Sequence, residues 1–109
     1  MGSELVSCMP GFIASLFNEI CTSAQKHTSI QSDEIIQMVL NTMIATGQLM
    51  LEKNLSFQDV VSRVATKGGI TEEGVNVIQD EFPKISDSIF DKTLEKRKLT
   101  TLNAKKVFL

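Results

Sequence analysis

Residues 32–53 read SDEIIQMVLNTMIATGQLMLEK, and this stretch decides the fold. Its apolar residues recur at intervals of three and four, which is typical of one face of an α-helix. They are Ile36, Val39, Leu40, Met43, Ile44, Met50 and Leu51. Ile35 and Met38 widen that face, so we expect the helix to be buried on more than one side. Ser32 is the expected N-cap, because acidic residues follow it directly.

The length of this helix predicts a homodimer. At 1.5 Å per residue it spans about 30 Å, which gives a small domain more apolar surface than short neighbouring helices can cover. A second copy of the chain would cover the remainder. Met38, Met43 and Met50 stand at helical spacing on the same helix. Methionine-rich surfaces can bind varied partners, but here core or subunit-interface packing is the better interpretation.

Helices are predicted on both sides of this segment. A first helix runs from Pro10 to about Lys26, and a third begins with the capping-box-like stretch 56–59 and stops at Gly68. A fourth is expected from Thr71 and a fifth from near Pro83, with Asn54 and the glycine pair as punctuation. The sequence predicts one all-α domain of five helices over residues 5–98. Residues 99–109 form a less periodic tail, either extended or a frayed helix.

Composition excludes several classes of protein. The 109 residues carry 13 acidic and 11 basic side chains, and a net charge of −2 does not favour a nucleic-acid partner. The basic residues from Lys92 to Lys106 are interleaved with Asp91 and Glu95 and indicate a solvated helix face. No apolar run reaches the roughly 18 residues of a membrane span, and no secretory signal opens the chain. We therefore predict a cytoplasmic protein without a membrane partner.

The sequence shows no catalytic or metal-binding constellation of its own. Cys8 and Cys21 are the only cysteines, have no CxxC spacing and are interpreted as reduced structural residues. His27 lies six residues from Cys21, on a different helix face, and is expected at the surface. The acidic residues show no metal-ligand spacing, so no metal is expected. No nucleotide-binding or hydrolase motif is present either.

A glycine pair lies in the stretch 64–75, which reads VATKGGITEEGV. Gly68 and Gly69 can take positive φ and allow a ligand to approach the backbone. Thr71 is the expected N-cap of the next helix, and Glu72 in its first turn suits the positive end of the helix dipole. Backbone N–H groups at such a helix start can bind a carboxylate or phosphate, with Thr66 as a further donor. By itself the pattern is more typical of an interhelical turn.

Residues 57–79 resemble the C-terminal signature of the pyrroline-5-carboxylate reductase family. In that family an apolar residue, two small or hydroxyl residues, a variable position, two glycines, a variable position and a threonine follow in order, and after two more positions come a small and an aliphatic residue. The matching positions here are Val64, Ala65, Thr66, Gly68, Gly69, Thr71, Gly74 and Val75. Residues 7–12, SCMPGF, are similar to the family's lead-in to the first helix of its C-terminal domain. The resemblance covers about residues 5–98.

The resemblance implies a fold and a role. It implies a helical dimerisation domain of the 6-phosphogluconate-dehydrogenase C-terminal-like type, an interleaved homodimer in which helices of two subunits alternate. Such reductases use NADPH or NADH, held by an N-terminal dinucleotide-binding domain, to reduce pyrroline-5-carboxylate to proline in proline biosynthesis. That domain is expected to be absent from this chain, which would then bind no cofactor and be inactive alone.

The resemblance also implies a substrate site at the glycine loop. The substrate carboxylate would rest on Gly68 and Gly69 N–H groups and on the hydroxyl and N–H of Thr66. The Thr71 hydroxyl would lie near the ring nitrogen and is the catalytic candidate. Lys67 replaces a usual proline and Ile70 a small residue or threonine. These departures keep an alternative open, a non-catalytic helical dimerisation or interaction module of a reductase-like paralogue, such as the competence-associated relatives.

Overall fold

The computed structural model describes the backbone of residues 4–108 and the side chains of residues 6–103. A π-helical turn covers Glu4–Cys8 and is followed by four α-helices: α1 (Met9–His27), α2 (Ser32–Lys53), α3 (Phe57–Val64) and α4 (Ile70–Phe108). Residues 4–108 contain no β-strand. The all-α prediction is confirmed, and the expected number of five helices is wrong, because the predicted fourth and fifth are one helix.

Residues 8–64 form one compact unit, which contains α1, α2 and α3. Helix α1 has Pro10 in its first turn, where a missing N–H costs nothing. It ends at His27, and the backbone of the C-cap residue Thr28 is extended. The hydroxyl of Thr28 accepts a hydrogen bond from the N–H of Ile30 at 2.8 Å, which shapes the turn into α2. Helices α1 and α2 pack against each other. Ile35, 5% exposed, is the buried apolar residue of this unit.

The two ends of α2 can be compared with the helix boundaries that the sequence predicted. The carbonyl of Gln31 accepts the first helical hydrogen bond, from Ile35 N–H at 3.1 Å, so Gln31 is the N-cap and the expectation of Ser32 is wrong by one residue. The N-cap side chain makes no capping hydrogen bond. At the other end Asn54 has φ 52° and ψ 47°, a left-handed conformation that ends helices. The predicted stop at Asn54 is confirmed.

A reciprocal capping box starts α3, as predicted. The N–H of Asp59 donates to Ser56 Oγ at 3.0 Å, and the N–H of Ser56 donates to Asp59 Oδ2 at 2.9 Å. Two donors that helix geometry leaves unpaired are therefore satisfied. The Ser56 backbone N–H, the Ser56 hydroxyl and more weakly Arg63 together lower the pKa of the Asp59 carboxyl, although slight desolvation opposes them. The capping box thus favours the ionised carboxylate.

The lowered pKa of Asp59 gives a pH prediction. Because the folded-state pKa lies below the unfolded one, the stabilisation is complete above about pH 4–5 and is lost as the pH falls through the folded-state pKa. Replacing Ser56 by alanine should raise the pKa of Asp59 part of the way to its ordinary value, since the backbone N–H remains. Carboxyl carbon shifts in an NMR pH titration measure this. Arg63→Gln is the control and should raise the pKa less; an unchanged pKa in Ser56→Ala would contradict the role of the hydroxyl.

Helix α4 continues through Pro83, where the sequence predicted a new helix. Proline removes one helical hydrogen bond and disfavours the helical conformation of the preceding residue. Ending and restarting the helix would instead leave about four carbonyls and four N–H groups without helical partners. One lost bond is the smaller cost, so the helix passes Pro83. Residues 99–108 also belong to α4, which excludes the extended form of the tail; Leu109 and the apolar side chains of 107–109 lie outside the described residues.

Candidate functional site

A tight turn forms the glycine loop, residues 66–71. The N–H of Gly69 donates to the carbonyl of Thr66 at 2.9 Å, so residues 66–69 close a β-turn. Gly68 has φ +75°, a left-handed conformation that side chains disfavour. A Cβ on Gly69 would lie 2.5 Å from Thr66 Oγ1 and 3.1 Å from the Thr66 carbonyl oxygen. The two positions therefore favour glycine for different reasons. Gly68 adopts a positive φ, and Thr66 approaches Gly69 too closely for a Cβ.

The structure places the start of α4 differently from the prediction. The carbonyl of Gly69 accepts the hydrogen bond of Glu73 N–H at 3.4 Å, so Gly69 holds the N-cap position. The predicted N-cap role of Thr71 is wrong, because the helix already begins at Ile70 and Thr71 lies inside its first turn. The structure thus brings Thr66, Gly68 and Gly69 together in one turn. It leaves Thr71 exposed, two residues beyond the N-cap.

Glu72 is the residue that sequence reasoning missed. Its Oε1 accepts a hydrogen bond from the N–H of Gly68 at 3.1 Å. Glu72 occupies the third helical position, from which capping-box carboxylates reach back to the chain before the helix. The signal was present as an acidic residue three positions after the N-cap, but it was assigned to the helix dipole alone. The loop therefore already holds a carboxylate, and it comes from its own chain.

Both glycine N–H groups are thus engaged, although by partners of different kinds. The Gly69 N–H is used inside the turn, on the Thr66 carbonyl. The Gly68 N–H is bound to a half-buried side chain that can rotate away. A ligand carboxylate at this loop must replace Glu72 at Gly68. The exposed Thr66 hydroxyl and Lys67 ammonium lie in the same loop and favour an anion.

The remaining chemically reactive side chains form no second centre. Cys8 and Cys21 are half-buried and not joined in a disulfide. His27 Nδ1 lies 2.9 Å from the carbonyl of Ser23, one turn back in α1, so the ring is held by its own helix. Within the described residues no three His, Cys, Asp or Glu side chains stand close enough together to hold a metal ion.

An apolar groove of about 680 Å³ runs along the unit of residues 8–64. It is lined by residues of α1 and α2 and by the first residue of α3. Its lining is Ile13, Phe17, Ile20, Met38, Val39, Thr42, Met43, Thr46, Gly47, Met50 and Phe57. The sequence predicted the apolar face of α2, including all three methionines. The contributions of α1 and of Phe57 depend on tertiary packing and were not predicted.

Much of α2 remains uncovered in the single chain. Six of its large apolar residues, Ile36, Met38, Leu40, Ile44, Leu49 and Leu51, are between 38% and 86% exposed. Among the described residues, only Ile35 is a buried hydrophobic residue. Contiguous apolar surface of this kind marks an interaction site. Over the part of the chain that could be searched, no helix combines the length and the apolar character that crossing a bilayer requires.

The described residues are all helical apart from short turns, and an apolar groove on α1 and α2 is open in the single chain, which is typical of a helical association domain. Comparison with known proteins gives the family. Residues 1–99 match the family model described as pyrroline-5-carboxylate reductase dimerisation, and the chain belongs to this family. The resemblance drawn from residues 57–79 is thereby confirmed.

Three known proteins are similar to this chain in sequence. Pyrroline-5-carboxylate reductase 3 of Bacillus subtilis (strain 168) is 42% identical over 101 residues, which cover 93% of this chain and 37% of the relative. ComE operon protein 4 of the same organism is 25% identical over 93 residues, covering 85% and 34%. Pyrroline-5-carboxylate reductase of Methanobrevibacter smithii is 29% identical over 72 residues, covering 66% and 29%. The chain thus spans about a third of the length of these relatives. No solved structure matches it significantly.

Proposed function

We propose that this chain is the dimerisation and substrate-carboxylate-binding domain of a pyrroline-5-carboxylate reductase and acts as a homodimer. The observation that carries the dimer is the exposed apolar surface of α2 together with the groove. A lone chain that leaves this surface in water forgoes roughly 25 cal/mol for every Å² that a partner could cover. In the proposed homodimer the helices of two copies interleave and cover it. We place this homodimer in the cytoplasm, as the composition predicted.

Sedimentation measures the proposed dimer. At micromolar concentration the chain is expected to sediment with twice its 12.0 kDa mass, because the exposed surface of α2 is then shared between two copies. Dilution should shift the equilibrium toward monomer and lower the thermal midpoint at the same time, since folding and association are linked. A stable monomer over the whole concentration range would refute the dimer.

The carboxylate site is the second half of the proposal. The substrate carboxylate accepts the N–H of Gly68 and approaches the Thr66 hydroxyl, after Glu72 has moved away. Gly69 allows the turn to close, and the Thr71 hydroxyl in the first turn of α4 faces the ring nitrogen as the candidate catalytic group. Support comes from the Gly68–Glu72 contact, which shows that the loop accommodates a carboxylate, and from membership of the family.

The reduction itself needs a nicotinamide, NADPH or NADH, that supplies hydride. Residues 4–108 contain no strand, so they lack the strand, glycine-rich turn and helix on which a dinucleotide rests. The side chains of this chain do not fit such a cofactor, and in the proposal it is held by another domain. This chain's part is to orient the substrate by its carboxylate, which fixes the position of the C=N bond.

Exchange of Glu72 for glutamine tests the carboxylate site. A neutral side chain binds the Gly68 N–H less strongly than a carboxylate, so proline should bind about fivefold tighter to Glu72→Gln. Amide shifts of residues 66–72 during a proline titration report the affinity. Glu73→Gln removes the same charge from the neighbouring residue and is the matched control, with wild-type affinity expected. Equal effects of the two variants would indicate general charge, and no shifts at millimolar proline would refute the site.

A second candidate function is favoured by two observations. The chain is similar to ComE operon protein 4, and its loop carries Lys67 and a 93% exposed Ile70 where the family has proline and a small residue or threonine. The chain would then be a helical dimerisation or interaction module of a reductase-like paralogue. A dimer whose loop ignores proline in both wild type and Glu72→Gln would support this function over the first.

A further inference from the structure

Phe57 is an exposed aromatic side chain in the lining of the groove. It is 81% exposed although it lines the groove together with α1 and α2. The capping box between Ser56 and Asp59 holds the backbone at this first residue of α3. Phe57 is therefore a large apolar group on a rigid support, which loses little freedom when a partner covers it.

Gly47 provides an opening in the same groove. It lies in the interior of α2, where glycine is less favourable than alanine. A Cβ built on Gly47 meets no atom within 4 Å, so the chain's own packing does not require a glycine there. A glycine in such a position allows another chain to come close to the backbone. Thr46 beside it also lines the groove and is small.

The exposed ring of Phe57 and the open space at Gly47 lie on the same groove. Two copies of this surface are therefore complementary to each other. A twofold interface places the same patch of both copies face to face, so each residue contact occurs twice. We propose that Phe57 of each copy enters the groove of the second copy at Gly47. This inference rests on the proposed homodimer and identifies the residues that anchor it. The lining on both sides is apolar and contains no charged side chain, which suits an aromatic anchor.

Sedimentation equilibrium of two variants tests the anchor. Phe57→Ala removes the ring and should weaken the dimer about 30-fold or more, as for an aromatic hot spot. Gly47→Leu fills the opening and should weaken it at least about 10-fold, while the monomer keeps its helical circular dichroism because its own atoms leave room. Gln48→Ala is the matched control: this polar α2 residue is exposed and does not line the groove, and its effect should stay within about twofold.

Isotope-filtered NOEs in a mixed labelled dimer test the contact directly. Cross-peaks between the Phe57 ring of one copy and the Gly47 region of the other are expected. A wild-type dimer that lacks these cross-peaks, and that Phe57→Ala and Gly47→Leu leave unchanged, would overturn this anchor and leave the homodimer standing. A monomeric wild type would overturn both.

Discussion

Truncation of Ile35 to alanine is expected to lower the free energy of unfolding by about 2–4 kcal/mol. Ile35 is 5% exposed, whereas the other large apolar residues of α2 range up to 86% exposed. Removing its side-chain carbons loses their transfer free energy and leaves a cavity at a buried position of α2. The effect is large because the unit of residues 8–64 has no other apolar residue buried to this extent among those described.

Urea denaturation at one fixed protein concentration measures this loss, because association contributes to the apparent stability. Ile35→Val deletes one methyl group and should cost about 0.5–1.5 kcal/mol. Leu51→Ala is the exposed control on the same helix and should change stability by less than about 0.5 kcal/mol in the monomer. Equal losses for Ile35→Ala and Leu51→Ala would show that Ile35 is not a core residue of this unit.

Replacement of Gly69 by alanine is expected to weaken proline binding at the glycine loop about 10-fold or more. The new Cβ would lie 2.5 Å from Thr66 Oγ1 and 3.1 Å from the Thr66 carbonyl oxygen. The hydroxyl can rotate away, but the carbonyl is part of the backbone and accepts the hydrogen bond that closes the turn. Alanine at position 69 therefore displaces the Thr66 hydroxyl, which is the proposed donor, and also opens the turn.

Gly74→Ala is the matched control. Gly74 lies in α4, the helix that follows Gly69, and a Cβ built on Gly74 would meet nothing within 4 Å. It should leave proline binding unchanged and stabilise α4 by about 0.5–1 kcal/mol, because alanine is the better helix former. Amide shifts of residues 66–72 report both variants. Wild-type proline affinity in Gly69→Ala would refute the role of the Thr66 turn in carboxylate binding.

Local signals located most of the fold before any tertiary contact was known. The capping box of Ser56 and Asp59 involves four neighbouring residues, and Asn54 ends α2 through its own backbone conformation. Such signals act within one helical turn, so sequence reasoning captures them. The prediction of a helix start near Pro83 is wrong for the same reason. Its local preference is to begin a helix, and the hydrogen bonds of a long continuous α4 outweigh it.

The candidate site was predicted in part. Gly68 and Gly69 were recognised as the loop, and the φ of +75° at Gly68 agrees with the reason given for a glycine there. Glu72 was assigned to the helix dipole, because the sequence does not show whether a carboxylate turns back to the loop or points into water. Its contact with Gly68 depends on where α4 begins, and the prediction placed the N-cap two residues too late, at Thr71 instead of Gly69.

The sequence by itself determined the helical class, the capping box that starts α3, the stop of α2 at Asn54, the glycine loop and the family. Each depends on residues close together in the chain or on an ordered motif. Only the tertiary structure decided that α1 and Phe57 form one groove with α2, that Ile35 is the apolar residue of α2 that is buried, and that Glu72 accepts the Gly68 N–H. The physical reason is that helical periodicity specifies which face of a helix is apolar, whereas the packing of separate helices determines which part of that face is covered.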